Sequence, residues 1–498
     1  MKIQNHQRVY KVTHMPFKPI FSILVLIIPI INSCKKYLEI PPPTTQLVTD
    51  SVFNNGASAT SAQLAIYAMM VNDDESSSIS YENGLLSDEL TNYNTNPNYL
   101  SYYINAMAAN NPSVGAFGRW NDAYSFIYQA NAVIRGLQNS SGVNGSIKQQ
   151  LIGEAKVTRA FWHFYLTNCY GDVPLALTTD YTVTSKLSRT PRIQVLQQVI
   201  ADLTDAQNSL NNNYVDASDT ASTTERVRPN KAVATALLAR AYLYLGDYNN
   251  KDVTAYKHAE DQATIVINNP NYSLISPLTS TNYGFTTNNS EAIWQLYTPL
   301  PTSDGATSDG DGYVLISAPG TVSLSNQLLN AFEPGDNRRN IWVGSYTTTD
   351  GSNITYYFPY KYKTTSQTNG SNVTEYITVL RLAEQYLIRA EARAEQGNIP
   401  GAQADLNVIR NRAGLPNTTA NDKASLLAAI LHERQVELFT EWGHRWFDLN
   451  RTGNTNAVMS VVTPLKGGIW SPDGHQELYP IPQPERSLDP NLSQNPGY

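Results

Sequence analysis

A helical hairpin pattern that recurs along the chain constrains this fold more than any other feature. Between residues 229 and 270, Ala and Leu recur at three- and four-residue spacing on both sides of a short turn. Such spacing places apolar side chains on one face of an α-helix. Small residues on that face let two helices pack closely, as in a tetratricopeptide repeat. The segment predicts a hairpin with Gly246 in its turn and Ala239 at the helix contact.

The same unit recurs with irregular spacing. A second copy occupies residues 380–413, where Gly397 marks the turn and Ala390 the tight contact, and a looser copy joins 162–171 to 191–210. Each hairpin needs neighbours to cover its apolar faces, so repeated hairpins stack into a superhelix. The predicted fold class is mostly α, with tetratricopeptide-like helical hairpins as a superhelical scaffold.

Two stretches interrupt the helical pattern. Residues 71–113 are rich in Ser, Asn and Tyr and have little periodicity, which predicts loops and short helices. Residues 275–378 contain short apolar runs separated by Gly, Ser, Thr and Asp, which predict short strands. We expect a loop-rich lobe at 275–378 between helical parts at 34–274 and 379–498, with Trp294 in its core.

The N-terminal residues have the pattern of a lipoprotein signal. Residues 19–31 form one apolar run, shorter than the ~20 residues of a transmembrane helix but suited to a signal-peptide core. Cys34 follows after Ile-Asn-Ser, which resembles a lipobox. We therefore predict a signal peptide at 1–33 and lipidation of Cys34. The alternatives are secretory cleavage with a free Cys34 thiol, and translation from Met15.

Composition and motifs exclude some functions. The net charge is −7, and no basic face is apparent for nucleic acid. The chain has 31 Tyr and 7 Trp against 12 Phe, so most rings carry a polar group that suits a wet surface. The sequence contains no Gly-x-Ser-x-Gly, no His-Glu-x-x-His and no phosphate-binding loop. We identify no catalytic residue and predict that the protein is not an enzyme.

Two acidic patterns raise the question of metal binding. Glu441 and His444 have the Glu-x-x-His spacing of di-iron bundles, but no second copy exists. We expect instead a structural ion-pair network between two sets of side chains, namely Glu433, Glu437 and Glu441 with Arg434, Arg445 and Arg451. The Asp-Gly pairs at 304–305 and 309–312 leave calcium open, although such pairs are first of all turn formers. We predict no other cofactor.

Five segments carry a family resemblance. Residues 431–451, LHERQVELFTEWGHRWFDLNR, resemble the signature helix of the RagB/SusD family. Residues 478–482 and 491–498 resemble the closing motif of that family, and residues 228–232 and 34–38 also match. The resemblance runs from Cys34 to the last residue.

The resemblance implies a function. Proteins of this family are lipid-anchored lids over a SusC-type TonB-dependent outer-membrane transporter, and they bind glycans or peptides at the cell surface. We therefore expect a nutrient-binding lipoprotein of the outer membrane, with a glycan ligand or, alternatively, a peptide. Lys35 and Lys36 stand where relatives often have acidic residues, which leaves surface or periplasmic display open. A tetratricopeptide-like adaptor for a protein partner and a surface glycosidase are the rival functions.

The ligand site is predicted from residue types alone, because no motif maps residue to residue. Sugars lie with their flat faces on Tyr or Trp and take hydrogen bonds at their edges. Tyr93, Asn94 and Tyr99 in the aperiodic stretch have this chemistry, and we expect Tyr313 or Trp342 to lie opposite them. The alternative is that these rings only cover the apolar scaffold.

Replacement of Cys34 by Ala should release the protein from membranes, because the thiol that receives the lipid is gone. Immunoblots of membrane and soluble fractions measure the effect. Cys169→Ala is the matched control, since it removes the other cysteine and should leave membrane retention unchanged. Full membrane retention of the Cys34→Ala variant would contradict lipidation at this residue.

Overall fold

A computed structural model of the protein describes residues 52–110, 115–219, 221–298, 305–367 and 373–498. The predicted signal peptide, Cys34 and Asp304 lie outside the described residues. The first α-helices of the described ranges are α1 (Gly56–Asn72), α2 (Glu75–Leu86), α3 (Pro97–Tyr103), α4 (Gly115–Asn139), α5 (Gly145–Tyr170), α6 (Tyr181–Thr184), α7 (Arg192–Ser209), α8 (Lys231–Tyr248) and α9 (Val253–Ile267). They are followed by α10 (Ser308–Tyr313), α11 (Asn326–Ala331), α12 (Asn337–Ile341), α13 (Leu382–Glu395), α14 (Ile399–Arg412), α15 (Lys423–Glu437), α16 (His444–Thr452), α17 (Thr455–Leu465) and α18 (Gln483–Leu488).

The strands are short and form two-stranded antiparallel sheets. They are β1 (Leu90–Asn92), β2 (Val173–Pro174), β3 (Arg189–Thr190), β4 (Tyr214–Val215), β5 (Ser222–Thr223), β6 (Ala292–Leu296), β7 (Val322–Leu324), β8 (Val343–Thr347), β9 (Thr355–Pro359) and β10 (Ile377–Arg381). The pairs are β1 with β7, β2 with β3, β4 with β5, β6 with β10 and β8 with β9. A mostly α fold with short strands is thus confirmed.

The scaffold consists of helices that pack in chain order. Helix α5 lies against α7, α7 against α8, α8 against α9, α9 against α13, and α13 against α14 and α15. Small side chains on the facing surfaces explain the close packing, since Ala239 and Ala390 are both fully buried. The three predicted hairpins correspond to α8–α9, α13–α14 and the looser pair α5–α7.

The two hairpin glycines have different roles. Gly397 follows α13 with a φ of +80°, a left-handed conformation that favours glycine, so its predicted place in the turn is confirmed. The prediction for Gly246 was wrong. It lies inside α8, and a Cβ there would come within 2.5 Å of the Tyr256 ring on α9. Gly246 therefore allows the two helices to approach, and the turn follows after Tyr248.

The strands tie the loop-rich lobe to the scaffold. Sheet β6–β10 is completely buried, and Trp294 within it is 0% exposed, which confirms its place in the core. Strand β1 pairs with β7, with Leu90 opposite Leu324, so the aperiodic stretch 71–113 joins the lobe. Residues from Thr49 to Tyr498 form one compact unit. No helix in the described ranges has the length and apolarity needed to cross a membrane.

Enlarging Ala390 to Leu should destabilise the α13–α14 hairpin. The side chain is fully buried at the helix contact, and overpacking of such a site costs ~1–3 kcal/mol of unfolding free energy. Thermal and denaturant unfolding measure the change. Ala404→Leu on the exposed face of α14 is the control and should be close to neutral. Equal stability of the two variants would place the hairpin contact elsewhere.

Candidate functional site

The segment that resembles the family signature forms two helices rather than one. Helix α15 ends at Glu437 and α16 begins at His444. Between them Thr440, Trp442 and Gly443 have φ values of 50°, 46° and 73°. Three left-handed residues within four positions break the helical hydrogen-bond ladder. The break turns the chain so that Glu437 and Glu441 both face the interior.

Glu437 is the centre of a buried ion-pair network. Its carboxylate accepts hydrogen bonds from Arg338 at 2.8 Å and from Arg381 at 2.5 Å, and it also pairs with Arg412. The side chains of these residues are at most 3% exposed. Burial alone would raise the pKa of Glu437, but Arg412, Arg381 and Arg338 lower it well below its usual value. The carboxylate is therefore charged and compensated.

Arg381 extends the network to the turn between α15 and α16. Its Nε donates to Glu441 at 2.7 Å, and its Nη2 donates to the carbonyl of Glu437 at 2.6 Å. Lys361 Nζ donates to the carbonyls of Glu437 at 2.8 Å and Phe439 at 2.9 Å, and it pairs with Glu441. The turn is thus held by charged side chains as well as by its own backbone.

The charged side chains of this segment all form buried ion pairs, but the predicted pairing of Glu433, Glu437 and Glu441 with Arg434, Arg445 and Arg451 was wrong, because the glutamates pair with cations from other segments. Glu433 pairs with Arg338 at 2.6 Å, and Arg434 pairs with Asp448 at 2.7 Å. Burial and the surrounding cations lower the pKa of His444 well below its usual value, so this imidazole is neutral. Within the described part of the chain, no group of three or more His, Cys, Asp or Glu side chains is arranged to hold a metal ion.

Arg445 and Lys466 connect this network to α2 and β1. Arg445 forms a bidentate pair with Asp88, at 2.7 Å to each carboxylate oxygen. Lys466 Nζ donates to the carbonyls of Leu85 at 2.7 Å and Leu86 at 3.2 Å, where a cation satisfies carbonyls that the helix end leaves open. Burial lowers the pKa of Lys466 to about 7. These contacts fix the point at which β1 leaves α2.

Helix α2 is polar in sequence but buried in the fold. Glu75, Ser80, Glu82 and Asn83 are each at most 7% exposed. The prediction of short helices in 71–113 is confirmed. Periodicity does not show the burial of α2, because a polar side chain can be buried where a distant segment provides its partner, as Arg119 does for Glu75.

Strand β1 delivers Tyr93 to the surface. The Tyr93 backbone N–H donates to the Thr321 carbonyl at 2.7 Å, and Ser323 Oγ donates to the Tyr93 hydroxyl at 3.3 Å. The ring is 38% exposed and lies edge-on to Tyr356, with centroids 5.6 Å apart. Tyr356 on β9 pairs directly with Tyr346 on β8. Three partly exposed tyrosines thus lie on neighbouring strands.

Alternating asparagines hold the loop after β1. The N–H of Asn94 donates to the side chain of Asn92 at 3.1 Å, that of Asn96 to Asn94 at 2.9 Å, and that of Asn98 to Asn96 at 3.0 Å. Each is an Asx-type turn, in which a side-chain oxygen replaces a backbone acceptor. The side-chain amide group of Asn94 donates to no described residue, so it is available to a ligand.

The remaining predicted rings lie at different depths. Tyr99 is half-buried and meets Tyr81 edge-on at 5.1 Å, while Tyr81 stacks on Tyr313 at 6.4 Å. Tyr313 is 3% and Trp342 1% exposed. Trp342 Nε1 donates to the Tyr283 carbonyl at 2.9 Å.

The predicted position of Tyr313 or Trp342 opposite Tyr93 was therefore wrong, because a buried ring has no free face for a ligand. Tyr346 and Tyr356 take their place beside Tyr93. Their proximity depends on strand pairing between distant segments, which no sequence spacing reveals. The Tyr93 surface is hereafter the set formed by Tyr93, Asn94, Tyr99, Tyr346 and Tyr356.

The Asp-Gly repeat forms a short helix instead of a loop. Residues 308–313 make up α10, and Thr307 accepts the N–H of Gly310 as its N-cap at 3.0 Å. Burial raises the pKa of Asp309 to about 7. Asp311 accepts the N–H of Ser366 at 2.7 Å. Calcium binding at this repeat stays an alternative to the prediction that the protein has no cofactor.

Replacing Arg381 by Gln should destabilise the whole fold. The substitution leaves Glu437 and Glu441 without one of their buried cations. Removal of one partner from such a network lowers the free energy of unfolding by ~3–5 kcal/mol. Urea unfolding measures the loss. Lys257→Gln is the control, because the Lys257–Asp261 pair is about half exposed and contributes at most ~1 kcal/mol. A small, equal effect of both substitutions would show that the network is not important for stability.

Comparison with known proteins covers most of the chain. Residues 321–498 match the family model described as SusD family, and residues 36–243 match the one described as starch-binding associating with outer membrane. The SusD-like protein P2 of Formosa agariphila is 26% identical over 79% of this chain and 82% of its own length. The starch-binding protein SusD of Bacteroides thetaiotaomicron is 36% identical over 24% of this chain and 21% of its own length.

A solved structure shares the fold. A laminarin-binding SusD-like protein superposes with a TM-score of 0.69 at 23% identity, over 88% of this chain and 99% of its own. The two family models match opposite ends of the chain, and the SusD family model, at residues 321–498, includes the signature-like turn and the buried network around Glu437. The chain is a SusD/RagB-like protein.

Proposed function

We propose that this protein is a lipid-anchored, outer-membrane glycan-binding protein that passes its ligand to a SusC-type TonB-dependent transporter. The Tyr93 surface is the ligand site in this proposal. The protein binds without turnover, because its sequence offers no recognisable catalytic group. Two of the three similar proteins support a glycan ligand, since one is described as starch-binding and the other as laminarin-binding.

The observation that carries the proposal is the rigid presentation of the tyrosines. Tyr93 is fixed by its backbone bond to Thr321 and by the edge contact with Tyr356. Aromatic rings held in place lose little conformational entropy when a ligand binds, so stacking on a sugar face is efficient. The free amide of Asn94 supplies a donor next to Tyr93. Together they provide an apolar face and a hydrogen bond for one sugar unit.

The lipid anchor and the delivery of the ligand to a transporter are proposed on other grounds. The apolar run at 19–31 followed by Cys34 supports a lipid anchor, and no described helix could replace that anchor by crossing the membrane. The match to a family model described as associating with outer membrane supports the compartment. A transporter partner is proposed from the family resemblance.

Substitution of Tyr93 and Tyr99 by Ala should weaken glycan binding at least tenfold, about 1.4 kcal/mol, because the stacking faces are removed. Isothermal titration with laminarin, soluble starch and other glucans or mannans first identifies a binding polymer and then compares the variants. The melting temperature should change little for Tyr93→Ala, since that ring is 38% exposed.

Tyr181→Ala is the matched control, because Tyr181 is 77% exposed and lies outside the Tyr93 surface. Its glycan affinity should equal that of the unchanged protein. Full affinity in the double variant would move the site elsewhere, and a large loss of stability would assign the two rings to the core. Hydrolysis of a bound glycan would favour a glycosidase, and binding of peptides alone would replace the glycan as ligand.

A further inference from the structure

A cleft with a volume of 370 Å³ lies beside α4 and shares no residue with the Tyr93 surface. One wall carries Trp120, Tyr124 and Tyr128, which are four residues apart and therefore share one face of the helix. The facing walls come from residues 174–187 and from α18 with the residues after it. The volume lies within the range of about 300–1,000 Å³ that is usual for small-ligand sites.

The rings of this cleft are held in place. Trp120 is 3% exposed and lies 5.0 Å from both Tyr124 and Tyr170, measured between ring centroids. The Tyr124 hydroxyl donates to the Pro174 carbonyl at 2.8 Å. Tyr128 is 56% exposed. The Tyr128 ring is therefore accessible to a ligand, on the same helix face as two rings that are held in place.

Two carboxylates line the same cleft without a cation. Glu485 and Asp489 lie one helical turn apart at α18. Asp489 is 8% exposed, and its Oδ1 accepts only the N–H of Asn491, at 2.9 Å. The Glu485 side chain accepts no hydrogen bond from the described residues. Neither acid forms an ion pair within the described ranges. Burial raises the pKa of Glu485, as expected for a carboxyl that lacks a counter-ion.

The nearby guanidinium groups are already engaged. Arg189 donates to the carbonyls of Asp172 at 2.7 Å and Ser493 at 3.2 Å. Arg486 donates to the Leu492 carbonyl at 3.1 Å and to the Gln483 side chain at 2.9 Å. Both cations are thus held by neutral acceptors, and neither forms an ion pair with Glu485 or Asp489 within the described ranges.

An aromatic face beside uncompensated carboxylates is the chemistry that recognises an organic cation, through cation–π attraction together with an ion pair. We propose that this cleft binds a primary ammonium group on a small ligand, between the Tyr128 ring and the carboxylates of Glu485 and Asp489. A neutral sugar fits the cleft less well, because it has no positive charge to pair with Glu485 and Asp489. An amino sugar and a lysine side chain are the two sources of such an ammonium group.

Matched pairs of ligands test the charge requirement on the full chain. Methyl β-glucosaminide is compared with its N-acetyl derivative, and Nα-acetyl-lysine amide with its Nε-acetyl derivative, by isothermal titration. We expect at least one amine to bind at least tenfold more tightly than its acetylated partner. Binding of one amine only identifies the source of the ammonium group. Binding of neither amine, or equal affinity of amine and acetylated partner, would overturn the proposal.

Substitutions locate the site. Glu485→Gln with Asp489→Asn, and separately Tyr128→Ala, should each reduce amine affinity at least tenfold. Asp261→Asn and Tyr297→Ala are the controls, because they remove an exposed acid and an exposed ring outside the cleft. If the double variant does not fold, the amine affinity of the Glu485→Gln single variant is the test. Full affinity in the carboxamide variants would overturn the proposal. Tyr93→Ala should leave amine binding unchanged, which separates this test from that of the glycan proposal.

Discussion

The buried pairing of Glu437 with three arginines is the interaction on which most of this structure depends. The arginines come from α12, the end of β10 and the end of α14, while Glu437 ends α15. Four distant segments must therefore be in place before any of these charges is compensated. Removing one member leaves an unpaired charge in the interior, which costs far more than the loss of an exposed pair.

The same region controls how the candidate site is built. The turn between α15 and α16 carries Arg445 to Asp88, and the Trp442 N–H donates to Ser80 at 2.8 Å. Both contacts hold the polar helix α2, from which β1 leaves toward Tyr93. The residues that resemble the family signature are therefore structural, and they support the Tyr93 surface through α2. The tyrosines of that surface lie on short strands, on the loop after β1 and on the short helix α3, where they can differ without disturbing the scaffold.

The local predictions held where one segment sufficed to determine the structure. The stripes around Ala239 and Ala390 predicted buried helix faces, and Trp294 was expected in the core, because periodicity alone shows which side of an element is apolar. Gly246 shows the limit of this reasoning. A glycine in a helical pattern can mark a turn or a close approach, and only the position of the Tyr256 ring distinguishes the two.

The sequence by itself determined the helical hairpins and the lipobox-like pattern that ends at Cys34, because each is a short-range pattern. It did not determine the buried network, because Arg338, Arg381 and Arg412 reach Glu437 from distant segments. Tertiary structure alone decided which rings are accessible. Trp342 and Tyr313 are buried and Tyr346 and Tyr356 stand beside Tyr93, since β1–β7 and β8–β9 bring together residues far apart in the chain. The cleft at Tyr128, Glu485 and Asp489 arises in the same way, because α4 and the C-terminal residues that line it are far apart in the chain.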